Sequence, residues 1–117
     1  MKKPSFQIAI PSYRRSDLII KKTLATLQRL KIPSSIINIF VASSMEKEEY
    51  QNKIPESLYN QIIIGELGLK NQRNFINNYY PEGTKLVQMD DDIDDIMMIA
   101  NWENYSSKNS KSKKKKS

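Results

Sequence analysis

Ile36-Ile37-Asn38-Ile39-Phe40-Val41-Ala42 decides the fold. The run is apolar except at Asn38, and it does not alternate with polar residues. A strand with one wet face alternates. A near-continuous apolar run of this length, rich in β-branched residues, reads as a strand covered on both faces, the habit of parallel sheets. Upstream, residues 17–31 put Ile20, Leu24, Leu27 and Leu30 on one helical face, with Ser16 or Asp17 to cap and Pro33 just past the end. Before that helix, residues 6–10 predict another buried strand, stopped by Pro11. Downstream, residues 45–52 predict a charged helix, 61–64 a strand, 69–80 a helix, 81–83 a turn and 85–89 a fourth strand. Residues 93–100 read as a short helix or edge piece. Each strand is followed by a crossover, which predicts an α/β domain: a mainly parallel β-sheet with flanking helices, Rossmann-like in its connections. Ligands of such sheets sit beyond the carboxyl ends of the strands, where the strand order reverses. The polar clusters fall there: 11–15 after the first strand, 43–44 after the second, 65–74 after the third and 90–92 after the fourth.

Composition narrows the chemistry. The 117 residues carry 19 Lys and Arg against 13 Asp and Glu, a net charge of +6. Six of the lysines lie in residues 104–117, which hold no acid, so residues 1–103 carry thirteen charges of each sign. The basicity belongs to a tail and is no argument that the domain binds nucleic acid. Cysteine and histidine are both absent, which removes disulfides, thiolate or imidazole metal ligands, and Ser-His-Asp catalysis. A metal would have to be held by oxygen, which favours Mg, Mn or Ca. No apolar run approaches the roughly 18–20 residues that span a bilayer. Met1-Lys2-Lys3-Pro4-Ser5 has no signal-peptide core, so the expected location is the cytoplasm, that of the host if the source is viral.

Asp90-Asp91-Asp92 closes the fourth strand. Adjacent carboxylates repel, so one must take a proton or a cation must neutralise them. On an extended segment Asp90 and Asp92 project to one side and can face a single divalent ion, with Asp91 pointing elsewhere. The plainer alternative is a solvated acidic turn that caps the next helix, favoured by Asp94 and Asp95. Charge is polarised along the chain: residues 1–31 hold eight bases and one acid, residues 82–103 seven acids and one base. An acidic corner holding a cation beside a basic corner suits a metal-bound diphosphate. Lys21, Lys22, Arg29 and Lys31 read as helix solvation; Arg14 and Arg15, at a strand end, do not.

Three segments together resemble one known group. Ile8-Ala9-Ile10-Pro11-Ser12-Tyr13-Arg14-Arg15 is similar to the first strand and loop of GT-A glycosyltransferases. Gly68-Leu69-Lys70-Asn71-Gln72-Arg73-Asn74 resembles their Gly-x-x-x-Ala-Arg-Asn segment, with Gln72 in place of Ala. Leu86-Val87-Gln88-Met89-Asp90-Asp91-Asp92 resembles the strand that delivers their Asp-x-Asp motif. The nearest likeness is to family-2-like transferases of large DNA viruses and phages, including the TET-associated group. It covers residues 6–99. The resemblance implies a nucleotide-diphospho-sugar donor, a UDP- or GDP-sugar, whose sugar passes to an acceptor with Mn or Mg as cofactor. It implies a nucleotide site of Pro11, Ser12, Tyr13, Arg14, Ser43, Arg73, Asp90 and Asp91. Asp90 and Asp92 are implied as the catalytic pair that holds the metal. Ser43 stands where the family usually has an acid.

GT-A domains continue well past Asp-x-Asp, whereas this chain enters a lysine tract soon after Trp102. The expectation is therefore a truncated, donor-binding half over residues 1–103 and a disordered Ser/Lys-rich tail over 104–117. Ile96, Met97, Met98 and Ile99 read most simply as core; with the acceptor half missing they are instead an exposed apolar patch for self-association, and the other expected partner is a complementary second half. The alternatives are a non-catalytic nucleotide-binding remnant and a basic-tailed protein that binds nucleic acid through counterion release. A phosphatase is disfavoured, because such enzymes carry their nucleophilic Asp after the first strand, where this chain has Pro11-Ser12.

Overall fold

A computed structural model of the chain describes residues 6–93. The expected α/β architecture is present. Four parallel strands form one sheet in the order β3-β2-β1-β4: β1 (Phe6–Pro11), β2 (Ile37–Val41), β3 (Gln61–Ile64) and β4 (Lys85–Gln88). The chain moves outward from β1 to β3, then returns across the sheet to lay β4 on the other side of β1. The order reverses between β1 and β4.

The first helix carries a local anomaly. α1 (Ser16–Ile19), a π turn (Ile20–Leu24) and α2 (Ala25–Arg29) run on as one rod, with right-handed φ and ψ at both junctions. A Schellman motif ends it: Ile32 N–H donates to Leu27 C=O at 3.0 Å and Lys31 N–H to Gln28 C=O at 3.0 Å, with Lys31 left-handed at φ 59°. The charged helix α3 (Ser44–Lys53) follows β2 and the amphipathic α4 (Leu69–Tyr79) follows β3.

Helices cover both faces of the sheet. On one face Ile8, Ile10, Ile39 and Val87 pack with Ile19, Leu24 and Leu27 of the first rod and with Tyr50 of α3. On the other, Ala9, Phe40 and Leu86 pack with Ile76 of α4 and with Tyr80 just after it. Burial of each large side chain contributes roughly 1.5–3 kcal/mol. This double cover explains the near-continuous apolar run. Asn38, its one polar residue, is buried but satisfied, donating to Gln7 Oε1 at 2.9 Å and accepting from Asn60 Nδ2 at 3.0 Å.

Two differences from the sequence reading concern the site. β1 extends through Pro11, because Ser12 N–H still donates to Phe40 C=O at 2.9 Å. β4 stops at Gln88, and Asp91-Asp92 form a turn. Strand alternation therefore does not govern where the three Asp side chains point. Beyond Ile93, the expected element at 94–100, Trp102 and the lysine tail lie outside the described residues. Among the described residues no helix is long and apolar enough to cross a membrane.

Candidate functional site

A cavity of about 410 Å³ opens at the reversal point, a size typical of small-ligand sites. The β1 loop contributes Pro11, Ser12, Tyr13 and Arg15; the β4 turn contributes Asp90, Asp91 and Asp92. Ala42 lies after β2, and Glu66, Gly68, Leu69 and Gln72 form the far wall after β3.

The acidic wall is built by partners distant in sequence. Asp91 is 4% exposed. Its Oδ2 accepts from Ser12 Oγ at 2.8 Å and its Oδ1 lies 3.3 Å from Arg15 Nη1. Behind Ser12, the Tyr50 hydroxyl sits 2.6 Å from Ser12 Oγ and accepts from Arg15 N–H at 2.9 Å. The chain of donors runs Arg15 N–H, Tyr50 O–H, Ser12 O–H, Asp91 carboxylate. Burial raises the Asp91 pKa, and the Ser12 bond and Arg15 only partly oppose it. Burial likewise raises that of Tyr50. Asp92 Oδ2 lies 3.5 Å from Arg15 Nη2, and Asp90 Oδ1 3.3 Å from Arg73 Nη2.

The first rod holds the same turn from below. Thr23, in the π turn, donates its hydroxyl to Asp90 C=O at 2.6 Å and accepts from Ile93 N–H at 2.9 Å. Thr26 donates to Ile93 C=O at 3.2 Å.

The far wall depends on Gln72. Its amide donates to Val41 C=O at 3.1 Å and accepts from Glu66 N–H at 3.0 Å. Gly65 makes room for it, since a Cβ there would stand 2.0 Å from Gln72 Oε1. Gly68, left-handed at φ 95°, turns the chain into α4.

Not every expected site residue reaches the cavity. Pro11, Ser12, Tyr13, Asp90, Asp91 and Asp92 line it. Arg14 does not: its φ is 54°, its guanidinium stacks 5.2 Å from the Tyr13 ring centroid, and its N–H donates to Glu46. Arg15 takes the place expected of Arg14. Ser43 is used as the N-cap of α3, accepting from Glu46 N–H at 3.2 Å, while Glu46 Oε1 accepts from Ala42 N–H at 3.0 Å. Arg73 meets the site only through Asp90 at the rim. Reading the sequence missed Tyr50, Thr23, Thr26 and Glu46. A usable signal existed for Glu46, because Ser43-Ser44-Met45-Glu46 has capping-box spacing. Thr23 and Thr26 also stood three apart on a helix.

Among the described residues no set of three or more His, Cys, Asp or Glu side chains is arranged to hold a metal. Mg or Mn does not require one, being commonly held by one or two carboxylates plus waters and substrate phosphates. Asp90 and Asp92 are hard oxygen donors, 61% and 50% exposed at the mouth, and their arginine pairings are surface contacts worth about 0–1 kcal/mol. Each carboxylate is accessible to an ion that takes its other ligands from waters and phosphates. Comparison with protein-family models, with curated proteins and with solved structures finds no match to this chain.

Proposed function

We propose that the cavity binds a nucleoside-diphosphate sugar together with Mn or Mg and is the donor site of a glycosyltransferase. One observation carries this reading. The three segments that share the GT-A pattern, far apart in sequence, meet around one cavity at the reversal of a parallel sheet. Electrostatics argue for the cation. Four carboxylates and one guanidinium line the cavity, so a diphosphate alone is repelled. Asp90 and Asp92 would hold the ion, which when bound offsets the charge of the departing nucleoside diphosphate.

The chain's own side chains supply the rest. Arg15, held by the Tyr50 hydroxyl at its backbone, offers a guanidinium to phosphate oxygens. α4 turns its N-terminus, Gly68 and Leu69, toward the cavity, a second anion-favouring feature. Tyr13, 49% exposed, offers an aromatic face to a base. Ser12 and Asp91 fix the loop between them.

Isothermal titration with UDP, GDP and their sugars, with Mn²⁺ or with EDTA, tests the reading. At least one nucleotide binds with Mn²⁺ and is released by EDTA, and Asp92→Ala weakens it by about tenfold or more without lowering the melting temperature. Failure of all four ligands to bind, or binding indifferent both to EDTA and to Asp92→Ala, overturns it. Release of nucleoside diphosphate from the bound donor reads turnover; tight binding without release points instead to a nucleotide-binding module.

A further inference from the structure

The Asp90–Ile93 turn is closed in an unusual way. In an ordinary hydrogen-bonded turn the fourth N–H bonds directly to the first C=O. Here the Thr23 hydroxyl also bridges those two groups, donating to Asp90 C=O at 2.6 Å and accepting from Ile93 N–H at 2.9 Å. Thr26, three residues on, donates to Ile93 C=O at 3.2 Å and itself accepts from Arg29 Nη2 at 3.2 Å. Both threonines are fully buried, so neither hydroxyl can exchange these partners for water at low cost. Thr23 stands in the π turn of the rod, and such turns are frequent at functional sites.

We infer that Thr23 is a positioning residue: its hydroxyl, bridging the two ends of the acidic turn, sets the aim of Asp90 and Asp92. Helix 16–29 is thereby part of the site although none of its residues lines the cavity. The argument is geometric. The hydroxyl ties both ends of the turn to the helix, and the two residues between those ends are Asp91 and Asp92. Thr26 fixes the C-terminal end of the same turn. The effect on ligand affinity rests on the function proposed above, whereas the clasp itself does not.

Two readouts on the full chain keep these apart. The first needs no ligand: hydrogen exchange of the Ile93 amide, read by NMR. Thr23→Val speeds it by about tenfold, as expected for loss of one buried hydrogen bond, and Thr23→Ser, which keeps the hydroxyl, leaves it near wild type. The second is Mn²⁺-dependent UDP affinity, which Thr23→Val lowers by about tenfold and Thr23→Ser restores. A merely structural threonine would lower the melting temperature in Thr23→Val while leaving the Ile93 amide and the UDP affinity unchanged, and that result overturns the inference. If wild-type protein binds no UDP, the proposed function fails and the Ile93 amide still decides the clasp. If Thr23→Val does not fold, Thr23→Ala, which also removes the hydroxyl, is read in its place; unchanged exchange at the Ile93 amide there also overturns the inference.

Discussion

Along one wall of the cavity, Asp90, Asp91 and Asp92 each have a partner, and the backbone beneath them is gripped by Thr23 and Thr26. Across from it, Glu66 has no side-chain partner among the described residues, and Leu67 and Leu69 are each 59% exposed. On that far wall only the backbone is fixed, by Gln72. Like charges cannot be left side by side without compensation, so the acidic wall must be organised before any ligand arrives. The far wall carries no such cost, and the Glu66 and Leu69 side chains are left to adjust to what enters.

The contrast can be broken from either side. Gly65→Ala attacks the far wall. Its Cβ would stand 2.0 Å from Gln72 Oε1 and 2.8 Å from Phe75 Cδ2, pushing the amide off Glu66 and Val41. The expected cost is about 3 kcal/mol, measured by urea unfolding, since overpacking and two lost buried hydrogen bonds act together. Tyr50→Phe attacks the acidic wall more gently. It leaves Arg15 N–H and Ser12 without their hydroxyl partner, and a loss of about 1–3 kcal/mol is expected in the same measurement. Asp91→Asn sharpens the contrast through pH. Burial raises the native pKa of Asp91 above the ordinary 3.8, so the native state holds its proton longer than the unfolded chain. Stability from this group is therefore full below pH 3.8 and is lost as pH rises through the raised native value. Subtracting the variant's stability–pH curve from that of wild type should leave a fall in this window and a plateau above it; a flat difference would mean that Asp91 is not strained by burial. Neither substitution on the acidic wall should alter exchange at the Glu66 amide, which Gln72 holds.

Much of the fold was legible along the chain. Residues 61–64 form the expected strand without a shift, and the helix expected at 69–80 ends one residue early. The near-continuous apolar run at 36–42 announced a sheet covered twice, and the structure covers it twice. The site was legible as a set of loops but not as a set of contacts. Arg14 and Arg15 are the same residue type side by side, and the left-handed backbone at Arg14 decides which of them enters the cavity. Ser12 and Asp91 are 79 positions apart, and Tyr50 comes from a helix whose charged composition gave no reason to look at it.

The sequence by itself determined the α/β alternation and the segments that gather at the carboxyl ends of the strands, because side-chain periodicity is a local property. The tertiary structure decided which carboxylate is buried, which arginine it meets and that a helix hydroxyl holds the acidic turn. Those outcomes depend on the order β3-β2-β1-β4, which brings β4 beside β1 and puts residues about 70 to 80 positions apart within hydrogen-bonding distance.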